Sequence, residues 1–293
     1  MLNIIKRIGF GPIALKRTIW SRKLVPQPLV PVPRSACLTS VVRWDEWPGL
    51  NNIGCIEYFR LSSSGSMEKV QLAVPEVIGL VQEETLENHR CNLTDVIGMT
   101  SSGKKVSSAK DMEEFAQMFC PDYIKPVTES RMKEMITYFS VKLDYMTFSA
   151  FSWTDRGLYW NNENGSHHLS AARHIALQLG TNWPLKGRLY RYSLSKSGLT
   201  LLSRRWHLVL IPSSAAYSTF MDAMKRDRCP FGLSEMPDNL HCHHGGAKGL
   251  NVVWLDRHES KAKRAAAVLL KAGFPDLGRV LEGTINDCIE YRR

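Results

Sequence analysis

The sequence predicts an α/β or α+β fold, with a mixed sheet, flanking helices and a single main domain that follows an extended basic N-terminal arm. One observation is that runs rich in β-branched and aromatic residues alternate with helical patterns in the C-terminal half. Another is that 44% of the 293 residues are hydrophobic, which is enough to bury a core. We divide the chain into the arm at 1–38, a subdomain of mixed strands and helices at 39–145 and an α/β subdomain at 146–293.

The arm is basic and contains no acidic residue before Asp45, whereas the whole chain has a formal net charge of +10. Its basic residues, counted to position 44, are Lys6, Arg7, Lys16, Arg17, Arg22, Lys23, Arg34 and Arg43. The four prolines of 25-VPQPLVPVPR-34 predict an extended connector, because each fixes φ and removes an amide donor. Three interpretations of the arm stay open: a solvated or packing segment, a contact with nucleic-acid phosphates, and a targeting segment.

The segment 39–145 predicts strands first and helices second. Aromatic and β-branched residues between Val41 and Leu61 favour strands, whereas Ser107 or Ser108 is a suitable N-cap for a later helix. In order, the predicted elements are one or two strands over 41–61, a loop at 62-SSSGSM-67, an apolar segment at 70–81 that Pro75 leaves open between strand and helix, a helix over 107–119 and an amphipathic helix over 128–143.

The segment 146–293 alternates strand and helix patterns. Glycines close two of its helices, as is typical of helix C-termini. In order, the predicted elements are an apolar and aromatic run over 148–160, the loop 161-NNENG-165, a helix to Leu179 followed by Gly180, strands at 187-GRLYRYSL-194 and 198-GLTLLSRRWHLVLI-211, a helix over 213–227, a strand at 250-LNVVWL-255 and a helix over 258–273 that Gly273 ends.

A candidate anion site precedes the alanine-rich helix, at Gly165, Ser166, His167 and His168. Amides at the start of a helix point out of its end, where the helix dipole also favours negative charge. Ser166 is suited to cap the helix or to contact an anion, and both histidines can donate to phosphate oxygens. Arg173 would add positive charge nearly two turns further along. The pattern therefore predicts phosphate binding, with an ordinary capped helix and a metal-ligand role as the alternatives.

The same residues resemble the ParB and sulfiredoxin superfamily, in which a strand leads into Gly-x-His-Arg and an alanine-containing helix. The matching positions are Gly165, Ser166, His167 and His168, then Ala171, Ala172, Gly180 and the strand 187–194. The resemblance implies that a nucleotide, such as a nucleoside triphosphate, is held by its phosphates. His168 stands where the superfamily has arginine, and Ser166 stands where sulfiredoxins have a reactive cysteine, so no sulfinic-acid chemistry is implied. Elsewhere the chain resembles uncharacterised bacterial or phage proteins.

A second group of histidines lies in 241-HCHHGGAKG-249. Imidazole and thiolate are the ligands that zinc prefers, so a zinc site is one interpretation. Its candidate ligands are Cys229, His241, His243 and His244. The competing interpretation is a flexible surface loop, from which Lys248 would approach a phosphate as a point charge.

Composition narrows the class of protein. The seven cysteines are scattered, odd in number and without a CxxC pair, which favours a reducing, cytoplasmic location. The sequence has no run of 18 apolar residues that would predict a membrane span. It also lacks the GxSxG and HExxH motifs of hydrolases and zinc peptidases.

The function that the sequence predicts is binding of a phosphate group or nucleotide by a protein of ParB-like character, with catalysis left open. The first alternative is a non-enzymatic bacterial or phage protein that binds nucleic acid, such as DNA, or another partner through the basic arm. The second is a metal-dependent enzyme that uses the cluster of His241, Cys242, His243 and His244. The oligomeric state stays open.

Overall fold

The computed structural model describes residues 11–27, 29–31, 36–48, 54–100, 108–154, 157–213, 216–237, 240–242 and 250–290. Within these residues the helices are α1 (Ile13–Trp20), α2 (Met112–Phe119), α3 (Glu129–Ile136), α4 (Ser166–Leu179), α5 (Lys196–Arg205), α6 (Ala216–Arg226), α7 (Ser260–Lys271) and α8 (Leu277–Glu290). The strands are β1 (Leu29–Pro31), β2 (Cys55–Leu61), β3 (Met67–Ala73), β4 (Val81–Asn92), β5 (Val96–Met99), β6 (Met146–Phe151), β7 (Leu158–Trp160), β8 (Pro184–Leu194), β9 (Trp206–Pro212), β10 (Phe231–Glu235), β11 (Leu240–Cys242) and β12 (Leu250–Asp256).

The chain divides into two compact units, each assembled from segments that are distant in sequence. The first unit contains the described residues of Met1–Pro31, Arg43–Val81 and Ser195–Arg293, and the second those of Val32–Val42 and Gln82–Leu194. This division differs from the predicted boundaries at 38 and 145. The reason is strand pairing, since β2 is hydrogen-bonded to β10 with Phe59 opposite Phe231, which joins residues 54–73 to the C-terminal segments.

The first unit contains a five-stranded antiparallel sheet in the order β3-β2-β10-β12-β9. Alternate residues of its central strands face opposite sides, as strand geometry requires. One set packs in a core with residues of α6 and α7 and includes Val209, Ile211, Val253, Leu255, Phe220 and Ala265. Trp254 stacks on Trp47 with ring centroids 4.9 Å apart and lies edge-on to Trp206 at 5.8 Å. Both faces of β9 and β12 are therefore buried.

The second unit contains a five-stranded mixed sheet in the order β4-β8-β6-β7-β5. Strand β6 is parallel to β8 and antiparallel to β7, and β5 is parallel to β7. Helices α2 and α3 each pack against α4, and all three share a core with the sheet, in which Phe115, Phe148 and Ile175 are fully buried. The predicted α+β class with a mixed sheet is thus confirmed, and α4 ends at Leu179 with Gly180 as its C-cap, as predicted.

One predicted strand is wrong in its first half. Residues 198–205 belong to α5, and only Trp206–Pro212 is a strand. Ser195 caps α5 by accepting a hydrogen bond from the Gly198 amide at 3.1 Å, and Leu199 and Leu202 are buried on one helix face. An apolar strand pattern and a short amphipathic helix are hard to distinguish in such a run, because both contain several consecutive apolar residues.

Helix α2 has a different cap from the predicted one, and α3 ends earlier than predicted. Asp111 caps α2 by accepting from the Glu114 amide at 2.8 Å, whereas Ser107 lies outside the described residues. Helix α3 stops at Ile136 and short 3-10 turns follow it. The helical spacing of apolar residues continues beyond Ile136 in the sequence, so periodicity alone did not mark the end.

The N-terminal segment is partly helical where the structure describes it. The amides of Ala14 and Leu15 in α1 donate to the Asp227 carboxylate at 2.9 Å, and Leu15 is fully buried in the first unit. Within the proline-rich connector, β1 pairs with β11. Residues 1–10, 28 and 32–35 lie outside the described residues, so an extended basic arm is not confirmed.

Candidate functional site

The first turn of α4 borders a cavity of about 350 Å³ in the second unit. The cavity is lined by Gly165, Ser166, His167 and His168 and by the segment from Phe119 to Tyr123. Four consecutive predicted site residues therefore line one cavity, and the structure places beside them a segment that sequence reasoning missed. The segment 119-FCPDY-123 matches no binding motif, and only the packing of α2 against α4 places it beside the helix terminus.

Gly165 sets the backbone geometry at this terminus. Its φ of +79° lies in the left-handed region, and a Cβ at this position would be 2.5 Å from the Ser140 carbonyl oxygen. Both conditions favour glycine, which lacks a Cβ and enters this region readily. Gly165 thus occupies the N-cap position and Ser166 is the first helical residue, which corrects the assignment of Ser166 as an N-cap.

Ser166 is a buried polar residue without a described partner. The residue is only 6% exposed and lines the cavity, and its hydroxyl has no hydrogen bond to any described residue. The N-terminus of α4 has no side-chain cap, and within the described chain the amides of Ser166 and His168 have no acceptor. These donors belong to residues that line the cavity, so they can donate to an acceptor from outside the chain, whether solvent or an anion.

His168 is held between two aromatic rings. Its imidazole stacks on Tyr138 with centroids 3.7 Å apart and on Tyr123 at 4.9 Å. Burial lowers the pKa of His168, and nearby His167 and Arg131 lower it further. The imidazole is therefore neutral at pH 7, so it can offer a hydrogen bond but no positive charge. The ring of His167 lies 5.4 Å from that of Phe115.

The lowered pKa of His168 predicts a loss of stability in acid. The unfolded chain takes up a proton near pH 6.5, whereas the folded imidazole does so only at lower pH, so the free energy of unfolding falls as pH drops below 6.5. His168→Phe keeps a ring between the two tyrosines and removes this titration. We expect the variant to lose less stability than the wild type between pH 7.5 and pH 5.5 in urea denaturation.

The pKa values of His89 and His207 are also lowered, mainly by burial, so part of the acid sensitivity should remain in this variant. An identical loss of stability in the wild type and in His168→Phe would contradict the assigned shift.

Arg173 does not line the cavity. Its guanidinium is largely buried, donates to the Thr94 carbonyl oxygen at 3.4 Å and lies 4.0 Å from a carboxylate oxygen of Glu113. Burial lowers the pKa of Arg173, and Glu113 and Asp111 oppose that shift. Seven residues of helix separate it from Ser166, which amounts to about 10 Å along the axis. The positive charge that Arg173 was predicted to add is therefore not at the N-terminus of α4.

Glu113 also contacts His174, whose Nδ1 lies 2.5 Å from a carboxylate oxygen of Glu113. These contacts join α2 to the middle of α4, beyond its first turn. We therefore regard the Glu113, Arg173 and His174 group as part of the packing between the two helices.

The predicted zinc ligands are only partly described. Cys229 is buried in the first unit, and burial raises the pKa of its thiol to about 12, which disfavours the thiolate that zinc requires. His241 lies in β11, opposite Val30 of β1, whereas His243, His244 and Lys248 lie outside the described residues. Among the residues that the structure describes, no three potential ligands group together. The zinc site stays a prediction.

Comparisons with known proteins identify a family but no activity. Residues 86–288, more than half of the chain, match the sequence model of a family of unknown function (DUF6685). The chain belongs to this family. The matched region includes all the residues that line the cavity at α4. No curated protein and no solved structure matches the chain, so the resemblance to the ParB and sulfiredoxin superfamily stays a prediction.

None of the helices within the described ranges combines the length and the apolar composition that crossing a bilayer needs.

Proposed function

We propose that the protein binds a small phosphorylated ligand of the nucleotide class, with its phosphate at the N-terminus of α4. The observation that carries this proposal is Ser166, a buried residue whose hydroxyl has no described partner and which lines the cavity beside an uncapped helix terminus. A phosphate oxygen accepts hydrogen bonds from amides and hydroxyls together, and the helix dipole stabilises its charge.

The cavity volume and its rings favour a monophosphate over a complete triphosphate. A volume of about 350 Å³ is near the lower end for small-molecule pockets. Phe119 and Tyr123 line the same cavity, and aromatic side chains of this kind can pack against a planar group such as a nucleobase. Together these features support a phosphate group next to an aromatic or sugar moiety.

The charge of the lining residues limits the affinity of this cavity for a phosphate group. The described lining contains no lysine or arginine. It does contain Asp122, whose carboxylate is exposed. Its charge opposes that of the phosphate, so amides and the Ser166 hydroxyl must provide the attraction. Asp122 has no described side-chain hydrogen bond, so replacing it leaves the fold intact. We expect Asp122→Asn to bind AMP more tightly than the wild type does.

The proposal is tested by calorimetric titration with AMP, inorganic phosphate and adenosine. Ser166→Ala removes one hydrogen bond to a charged oxygen, and we expect it to weaken AMP binding by about tenfold. Ser170→Ala is the matched control: Ser170 lies on the same helix and is 1% exposed, but its hydroxyl contacts the Met112 sulfur and does not line the cavity. This control should bind AMP as the wild type does.

Two results would remove the proposal. One is the absence of saturable AMP binding by the wild type. The other is adenosine binding as tightly as AMP, because the phosphate would then contribute nothing.

A further inference from the structure

A second cavity, of about 520 Å³, lies within the first unit between α5 and α8. Residues of α5, β9, α7 and α8 line it, together with Arg257, which follows β12. It lies in a different unit from the cavity at α4, and an inference about it does not depend on the proposed phosphate site.

Positive charge exceeds negative charge in this lining. Four basic side chains, Lys196, Arg204, Arg257 and Arg279, line the cavity together with the two carboxylates of Asp276 and Glu282. Two positive charges thus remain without a counterion in the lining. Charges of one sign that line a concave surface raise the local concentration of ligands of the opposite sign.

Three of these basic side chains form few ion pairs or hydrogen bonds within the described part of the chain. No described carboxylate forms an ion pair with Lys196 or Arg204. The guanidinium of Arg257 makes one described hydrogen bond, from Nε to the Trp206 carbonyl oxygen at 3.3 Å. Its terminal nitrogens are therefore available, and a guanidinium is suited to bind two oxygens of one anion.

Asp276, which directly precedes α8, already has partners within the chain. One oxygen of Asp276 accepts hydrogen bonds from the amides of Gly278 and Arg279, at 2.9 and 3.4 Å, and its other oxygen lies 3.9 Å from the Arg279 guanidinium. Asp276 thus acts as the cap of α8. A divalent cation would meet four positive charges here, so the lining favours an anion.

The cavity also has apolar walls. Leu199 and Ile285 are buried and line it together with the half-buried Leu270. His207 also lines the cavity, and burial, with a further effect of Arg257, lowers its pKa. A neutral imidazole at this position can donate or accept one hydrogen bond.

We propose that this cavity binds an organic dianion that has an apolar body. Arg204 and Arg257 hold the anionic head, which is a phosphate monoester or a pair of carboxylates, and the body packs against Leu199 and Ile285. The excess of two positive charges sets the charge of the ligand, and the apolar walls distinguish it from a free inorganic ion.

The test is an NMR titration of the full chain that follows the imidazole signals of His207 and His168. Each cavity contains one of these histidines, so the two sites report separately. The probes are phenyl phosphate, phthalate and inorganic phosphate. We expect a saturable shift of the His207 signal with phenyl phosphate or phthalate, and whichever of the two binds more tightly identifies the head group.

Variants assign the binding to the proposed residues. Arg204→Ala should weaken binding about tenfold, as expected for the loss of one charge-assisted contact. Arg226→Ala is the matched control, because Arg226 is an exposed arginine of the same unit that does not line the cavity. Ser166→Ala should leave the His207 shift unchanged, whether or not the site at α4 exists.

The proposal is overturned if neither phenyl phosphate nor phthalate shifts the His207 signal saturably at millimolar concentration. It is also overturned if Arg226→Ala weakens binding as much as Arg204→Ala. Inorganic phosphate that binds as tightly as phenyl phosphate would contradict the role of the apolar walls.

Discussion

Gly198→Ala is expected to destabilise the protein by about 3 kcal/mol or more, because a methyl group at this position would collide with backbone atoms. The Cβ would lie 1.9 Å from the Gly79 carbonyl oxygen and 2.9 Å from the Leu80 Cα. Backbone atoms cannot rotate away as a side chain can, so all of α5 would have to move. Gly198 is buried in the first turn of that helix, where the absence of a side chain permits the close approach.

Gly283→Ala is the matched control, and its expected change in stability has the opposite sign. Gly283 lies on an exposed part of α8, and no atom comes within 4 Å of its Cβ position. Alanine in an open helix interior is favoured over glycine by about 0.5–1 kcal/mol, so this variant should be slightly more stable than the wild type. Urea denaturation of the two variants and the wild type measures both effects. Equal stabilities for the two variants would show that α5 does not pack against residues 79–80 as described.

Gly165→Ala should destabilise the protein by about 2–3 kcal/mol and abolish AMP binding. A positive φ is unfavourable for alanine, and the new Cβ would lie 2.5 Å from the Ser140 carbonyl oxygen. Relief of that contact requires the first turn of α4 to move, which displaces the Ser166 hydroxyl and the amides from the cavity.

Gly180→Ala separates the two causes, since Gly180 has a φ of +64° but no atom within 4 Å of its Cβ position. We expect this variant to lose only about 1 kcal/mol through backbone strain and to retain AMP binding. Denaturation and calorimetry on both variants are the measurements. If Gly180→Ala lost AMP binding as completely as Gly165→Ala, the effect could not be assigned to the first turn of α4.

The parts of the fold that the sequence predicted correctly depend on local signals. Helix α4 was predicted because alanines follow a glycine-containing loop and Gly180 marks its end, and α6 and α7 were predicted on similar grounds. The division into units was not predictable in this way, because it depends on the pairing of β2 with β10 across more than half of the chain. Pairing between distant strands leaves no local pattern in one sequence.

In the candidate site, too, only the features that depend on local sequence were predicted. Gly165 and Ser166 were identified from the chemistry of a helix N-terminus, a local property. The contribution of Phe119 to Tyr123 follows from the packing of α2 on α4 and was not predicted. The sequence also could not show that Arg173 turns toward Glu113 or that two tyrosines enclose His168, since both depend on tertiary contacts.

Amide NMR of the nitrogen-15-labelled protein during an AMP titration tests most directly whether the amides and the Ser166 hydroxyl at the start of α4 bind phosphate. We predict saturable shifts of the Ser166 and His168 amide signals with AMP and none with adenosine. Amide signals of Ser166 and His168 that stay in place while AMP is present in large excess would contradict the claim.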